Sequence, residues 1–177
     1  YDPSLIPTLE VDGKTGQTTV RALIKALQIE LDIAPVDGIM GADTMEALPT
    51  LYAGFTTEAF SVTKVVYILQ GAMYCKGYNP GGFDGIYGNG VENGIIDFKT
   101  DAGLTSPDGK TEAKVFKALL NTDGFVLAAD KGGTATMRTA QQQLNNKYFG
   151  SEVMDLIPTW GIYDRTTNRA LIKSIQI

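Results

Sequence analysis

Two groups of aromatic, amide and guanidinium side chains are the part of this sequence best suited to binding chemistry. Aromatic rings stack on the faces of sugars, and amide or guanidinium groups hydrogen-bond to peptide amides and carboxylates. Each group surrounds one glycine turn, so we expect these seven residues to contact a ligand: Tyr78, Asn79, Tyr87 and Asn89, then Trp160, Tyr163 and Arg165. A competing interpretation leaves Tyr87 and Tyr163 as covers of the core.

The residue types present in this chain give little support for a catalytic function. The chain has no histidine and one cysteine, Cys75, which excludes serine–histidine triads, histidine-containing zinc hydrolase sites and an intrachain disulfide. Its 20 Asp and Glu residues leave a two-carboxylate glycosidase open, but they fall in turns and on amphipathic helix faces, where solvated side chains explain them better. We predict a non-catalytic protein with no catalytic residue, metal site or cofactor.

The charge and the hydropathy of the chain limit the classes of partner that it is expected to bind. The net charge is −5 and no lysine or arginine tract occurs, which argues against nucleic acid as a partner. No run approaches the roughly 18 apolar residues of a membrane-spanning helix, so no membrane span is expected. With 177 residues and 44% hydrophobic content, the chain can form one larger domain or several small ones.

A short glycine turn recurs along the chain. Glycine supplies the positive φ of a tight reversal, and a preceding aspartate can hydrogen-bond backbone amides ahead of it. Weaker copies lie at Gly13 and Gly109. The clearest copies are Asp37-Gly38-Ile39-Met40-Gly41, Asp84-Gly85-Ile86-Tyr87-Gly88 and Trp160-Gly161-Ile162-Tyr163-Asp164. We expect these turns to be architectural.

Longer matches show that the turns belong to a larger repeat. Residues 21–25, with the sequence Arg-Ala-Leu-Ile-Lys, recur at 169–173, and Gln28-Ile29 recurs as Gln176-Ile177. Short and long gaps alternate between the turn glycines. The repeating unit therefore contains two turns and reads helix, turn, helix, turn, helix.

This organisation predicts an all-α chain of tandem small three-helix bundles. Residues 1–55 form a partial module with helices two and three, near 17–31 and 42–52. Residues 56–125 form a complete module, with helices near 61–76, 89–102 and 111–121. Residues 126–177 form a partial module with helices one and two, near 134–148 and 165–177.

The partial modules should each leave an apolar helix face without its usual cover. Three arrangements could cover these faces: the halves pack on each other, on neighbouring chains, or on a domain outside this sequence. We favour an excised fragment or an assembling chain, and an assembling chain implies head-to-tail self-association.

The turn of the complete module, residues 83–88, together with Phe98 to Leu104 and Pro107-Asp108-Gly109, resembles the peptidoglycan-binding-domain-1 family. So does Ala26-Leu27-Gln28 followed by the turn at residues 35–44. That family is a small three-helix bundle found beside bacterial and phage wall hydrolases. The tandem arrangement is similar to arrays attached to glycoside-hydrolase-like barrel proteins of Gram-positive bacteria. Trp160 in place of the turn aspartate, and Lys110-Thr111 in place of the usual apolar-Gly step, depart from the family pattern.

The resemblance implies non-catalytic binding of bacterial cell-wall peptidoglycan, through its glycan strand or its stem peptide. It implies a secreted, wall-located protein that targets an attached wall hydrolase. The alternative is a structural or self-assembling extracellular protein that uses the helical repeats for protein–protein contacts.

Overall fold

The computed structural model describes residues 1–55 and 62–177 of the chain, and the regular elements in these ranges are helices. The predicted module boundary at residue 56 and the predicted helix start at residue 61 lie outside the described residues. Across the described ranges there is no β-strand, and one isolated bridge joins Leu51 to Thr111. The all-α prediction is confirmed.

The helices are α1 (Gln17–Glu30), α2 (Ala42–Ala47), α3 (Val62–Lys76), α4 (Asn89–Asp101), α5 (Ala113–Leu119), α6 (Ala135–Tyr148) and α7 (Arg165–Gln176), with a 3-10 turn at Ala129–Lys131.

Local chemistry explains where several helices begin and end. Thr134 caps α6 by accepting from the Met137 amide at 3.2 Å, and Asp164 caps α7 by accepting from the Thr167 amide at 2.7 Å. The helix predicted near 42–52 runs too long, because Leu48 precedes Pro49 and adopts extended backbone, which ends α2 at Ala47.

Unit 1 comprises residues 1–95 and 109–122. In it, α3 packs against α1 and α5, and α5 also packs against α2. The α5 helix begins later than residue 111, because Thr111 exchanges backbone hydrogen bonds of 2.8 and 3.0 Å with Leu51. The fully buried side chains of this core include Leu27, Leu51, Val65, Leu69, Met73, Ile95 and Phe116.

Unit 2 comprises residues 96–108 and 123–177. Here α6 packs against α7, and Met154, Ile157 and Ala170 form a buried cluster between them. The Phe98 and Phe125 rings meet edge to face with centroids 4.8 Å apart. The compact units therefore cut across the predicted modules, since each predicted partial module shares a unit with part of the predicted complete module.

No helix in the described ranges is both long enough and apolar enough to cross a membrane.

Candidate functional site

A buried glutamine holds the first clear Asp-Gly turn. Gln28 on α1 is 2% exposed. Its Oε1 accepts from the Gly38 amide at 2.9 Å, and its Nε2 donates to Asp37 Oδ1 at 2.7 Å and to the Ile39 carbonyl at 3.1 Å. Asp37 Oδ1 in turn accepts from the Ile39 amide at 2.8 Å. The Gln28 side chain thus accepts a hydrogen bond from one backbone amide of the turn and donates to oxygen atoms of the two flanking residues.

The same arrangement recurs in the complete module. Gln70 on α3 accepts from the Gly85 amide at 2.9 Å and donates to Asp84 Oδ1 at 2.8 Å and to the Ile86 carbonyl at 3.3 Å. Gly85 has φ +71°, and a Cβ added there would lie 2.6 Å from the Tyr67 ring. Glycine is therefore required at this position both by backbone conformation and by the close approach of Tyr67.

Unit 2 carries a third copy that lacks the aspartate. Gln141 on α6 accepts from the Gly161 amide at 2.9 Å, and donates to the Ile162 carbonyl at 2.8 Å and to Thr167 Oγ1 at 2.9 Å. Trp160 occupies the aspartate position, and its ring packs on Gly124, where an added Cβ would lie 3.0 Å from the ring. The glutamine, rather than the aspartate, is what these three turns share.

The turn at Gly109 uses a different anchor. Lys99 is 2% exposed and its Nζ lies 2.5 Å from Asp108 Oδ1, so an ion pair replaces the glutamine. The Tyr87 hydroxyl donates to the Gly109 carbonyl at 2.7 Å and lies 2.7 Å from Thr111 Oγ1. Tyr87 therefore ties the first turn of the complete module to its second. These contacts agree with an architectural role for the turns.

Hydrogen bonding keeps two turn aspartates ionised. The side chain of Gln28 and the amide of Ile39 lower the pKa of Asp37 below its usual value. The side chain of Gln70 and the amide of Ile86 lower the pKa of Asp84 in the same way. Neither carboxyl is suited to act as a general acid near neutral pH.

The four ligand residues expected around Gly85 divide by exposure. Tyr78 and Tyr87 are each 8% exposed, so almost all of each ring is covered by protein. Tyr87 does cover the core, as the competing interpretation held. Asn79 and Asn89 are exposed, and Asn79 Oδ1 accepts from the Gly81 amide at 2.9 Å. Of this group, the two asparagines present side chains that solvent can reach.

The three residues expected around Gly161 are more accessible. Trp160 is half-buried, and Tyr163 and Arg165 are exposed. The Tyr163 hydroxyl donates to Asn168 Oδ1 at 3.0 Å. This places the Tyr163 ring beside the start of α7 with more than half of its surface open, at 57% exposure. Ligand contact by all seven residues stays a prediction.

A groove of about 630 Å³ on unit 1 was not anticipated from the sequence. Its aromatic wall is formed by Tyr67 and Phe83, whose centroids lie 5.1 Å apart edge to face, and Phe83 is 61% exposed. Its polar end is a Lys64–Glu30 ion pair of 3.2 Å. The groove is lined by Tyr1, Leu23, Ala26, Ile29, Glu30, Lys64, Tyr67, Ile68 and Phe83.

Tyr1 contributes a protonated phenol to this groove. Partial desolvation, followed by a hydrogen bond to Glu30 and the negative charge of Glu30, raises the pKa of Tyr1 to about 12, although 62% of the residue's surface is exposed. Reasoning from the turns missed this groove because its walls come from α1 and α3, which belong to different repeats. The available sequence signal was Phe83, an aromatic residue directly beside the Asp84-Gly85 turn.

In residues 1–55 and 62–177 no group of three or more cysteine and carboxylate side chains is placed to hold a metal ion.

Comparison with known proteins points to binding of cell-wall material. Residues 63–119 match the peptidoglycan binding domain family, and residues 130–177 match the FadG/YbfG PGDB-like domain family. Neither match indicates a catalytic family, and a peptidoglycan-binding module indicates association with the cell wall.

Two proteins of Bacillus subtilis (strain 168) are similar to nearly the whole chain. Uncharacterized protein FadG is 41% identical over 169 residues, which cover 96% of this chain and 29% of FadG. Uncharacterized protein YbfG is 39% identical over 168 residues, which cover 95% of this chain and 22% of YbfG. The chain therefore spans less than a third of either relative. No solved structure matches it.

The α3, α4 and α5 helices and the turns between them coincide with the matched residues 63–119. These three helices are therefore the part of the chain that is similar to a peptidoglycan-binding module.

Proposed function

We propose that this chain binds bacterial cell-wall peptidoglycan without cleaving it, and that it holds an attached wall hydrolase close to its substrate. The observation that carries the proposal is the match of residues 63–119 to the peptidoglycan binding domain family. Targeting follows from tethering, because a bound module raises the effective concentration of whatever is linked to it. Such a protein works outside the cell, at the wall.

The groove on unit 1 is the surface best suited to the glycan strand. Its aromatic residues, Tyr67 and Phe83, present ring faces and edges that pack against the apolar faces of sugar rings. The exposed Lys64 ammonium supplies donors for sugar hydroxyls and N-acetyl carbonyls, and the Tyr1 hydroxyl oxygen, whose own proton is donated to Glu30, can accept from a sugar hydroxyl. The net charge of −5 disfavours long-range attraction to anionic polymers, so short-range stacking must supply the affinity.

Exposed residues outside the groove are proposed as secondary contacts. Asn79 and Asn89 in unit 1, and Tyr163 and Arg165 in unit 2, are open to solvent. Arg165 is suited to the carboxylates of a stem peptide, because guanidinium pairs with carboxylate in a bidentate manner. Several weak contacts on one chain would add by avidity.

The groove is tested by replacing its most exposed aromatic residue. Phe83→Ala should weaken cosedimentation with purified peptidoglycan about three- to tenfold, the effect of losing one aromatic packing interaction. Tyr74→Ala is the matched control, since Tyr74 is 50% exposed and lies on α3 outside the groove. Tyr74→Ala should bind as the parent does.

Two further measurements make the result decisive. Circular dichroism and the melting temperature should be unchanged in both variants, which excludes misfolding as the cause of lost binding. Soluble N-acetylated sugar oligomers should compete for the groove, whereas free stem peptide should not. Equal sedimentation of Phe83→Ala and the parent would remove the groove from the proposal.

A further inference from the structure

Helices α1 and α7 carry the same short sequence but have different neighbours. The Arg-Ala-Leu-Ile-Lys run at 21–25 recurs at 169–173, so Leu27 corresponds to Ile175 and Ile24 to Ile172. On α1, Leu27 is 0% and Ile24 is 5% exposed, whereas on α7 Ile175 is 85% and Ile172 is 49% exposed. The same apolar pattern is therefore buried on α1 and exposed to solvent on α7.

The cover on α1 is α3 together with the turn that follows α1. The α3 helix packs along α1, and a Cβ added at Gly71 would lie 3.4 Å from Leu23 Cδ2. Gln28 binds the Asp37-Gly38 turn through both ends of its amide. The α1 helix therefore combines an apolar face, which α3 covers, with a glutamine that binds the turn after α1.

The opposite face of α7 is the one that unit 2 already uses. Ala170 packs with Met154 and Ile157, and Thr167 Oγ1 accepts from Gln141 at 2.9 Å. The remaining face presents Leu171, Ile172 and Ile175, and it also presents Gln176, the counterpart of Gln28, as an exposed side chain.

Charge on α7 also matches the pattern seen on α1. Arg21 exerts an attractive charge on the Asp37 carboxylate in the turn that docks beside α1. Its counterpart Arg169 is exposed, and α7 carries Arg165, Arg169 and Lys173 with no acidic residue. A docked turn with an aspartate would find a complementary positive charge there.

We propose that Leu171, Ile172, Ile175 and Gln176 form a docking surface for a further repeat of this type. The occupant is an α3-like amphipathic helix, which covers the three apolar side chains, together with the Asp-Gly turn that precedes it, which binds Gln176. A second copy of this chain does not offer that helix, because its α3 is already covered by α1. In FadG and YbfG the matched stretch is less than a third of the protein, which leaves length in those relatives for more repeats.

The test extends the full chain by its own repeat. Because 169–177 corresponds to 21–29, a copy of residues 30–122 is joined directly after Ile177. Ile175→Cys, in a background with Cys75→Ala in every copy, reports on cover through its rate of reaction with a soluble maleimide. Thr166→Cys is the control, since Thr166 and its counterpart Thr18 are both exposed.

The thiol at position 175 should react at least about tenfold more slowly in the extended chain than in the 177-residue chain, because reaction then requires local opening. The thiol at position 166 should react equally in both. An unchanged rate at 175 overturns the proposal, and so does an appended segment that stays unfolded by circular dichroism, because α7 is meant to be the face on which it folds. Concentration-dependent protection of 175 in the 177-residue chain would instead assign the surface to a second copy, which also overturns it.

Discussion

At the scale of single residues, the buried glutamines explain what the Asp-Gly turns need. The turns could be predicted from the sequence, because glycine and aspartate occur side by side in each clear copy except the one with Trp160. The glutamines could not be paired with their turns, because each glutamine and its glycine are separated by a different length of chain: Gln28 and Gly38, Gln70 and Gly85, Gln141 and Gly161. Only the folded chain brings them together.

Removal of one of these glutamines should be costly. Gln70→Ala leaves the buried Gly85 amide without its acceptor, so the free energy of unfolding in urea should fall by about 1 to 3 kcal/mol. Gln143→Ala is the matched control, because Gln143 lies exposed on α6, and it should change the free energy of unfolding by less than about 0.5 kcal/mol. Equal effects of the two substitutions would show that the glutamine–turn contact contributes nothing particular.

At the scale of helices, periodicity located each α-helix of the described residues, but not the 3-10 turn at Ala129–Lys131, and proline and tertiary contacts set some of the helix ends. The predicted spans near 17–31, 89–102 and 134–148 agree with α1, α4 and α6 to within a residue or so. The α2 and α5 helices are shorter than predicted. Pro49 ends α2 through a local steric effect that sequence alone could have signalled. The Leu51–Thr111 bridge delays α5, and that long-range pairing has no local signature.

The turn glycine between α3 and α4 should tolerate no side chain. Gly85→Ala must hold alanine at φ +71° and bring its Cβ to 2.6 Å from the Tyr67 ring, so we expect a loss of stability of more than about 1 kcal/mol. Gly13→Ala is the control for backbone strain alone, since Gly13 has φ +69° and no atom within 4 Å of an added Cβ. Thermal unfolding of both variants measures the difference. A Gly85→Ala protein that melts with the parent would mean that Tyr67 moves aside without cost.

At the scale of the whole molecule, the repeats and the compact units are two different divisions of one chain. Sequence comparison finds the repeats, because it aligns similar segments such as 21–25 and 169–173. It does not show that α1 packs on α3, because the periodicity of a helix reveals which face is apolar but not which element covers that face. The uncovered face expected for the first partial module is therefore closed within unit 1. On α7 the apolar side chains of Leu171, Ile172 and Ile175 are exposed, and the assignment of this helix to a partial module stays a prediction.

Binding without cleavage is the behaviour we expect of this 177-residue chain. Hydrolysis of a glycan requires one carboxylic acid that stays protonated near neutral pH beside a second, ionised carboxylate. Asp37 and Asp84 sit in the turns that the sequence singled out, and hydrogen bonds lower both of their pKa values, so they stay ionised. The chain has no histidine that could serve instead as general acid or base.

Binding and cleavage can be measured in one assay with dye-labelled peptidoglycan. The purified chain should sediment with the walls and release no more dye than buffer does, while a muramidase added to the same walls releases dye and shows that they are cleavable. Phe83→Ala serves as the second arm, because a contaminating hydrolase would release dye equally with either protein, whereas release by the chain itself should fall together with binding. Dye release that tracks binding across the parent and Phe83→Ala would make this protein an enzyme and overturn the prediction, because the acid would then have to come from carboxyls outside the turns.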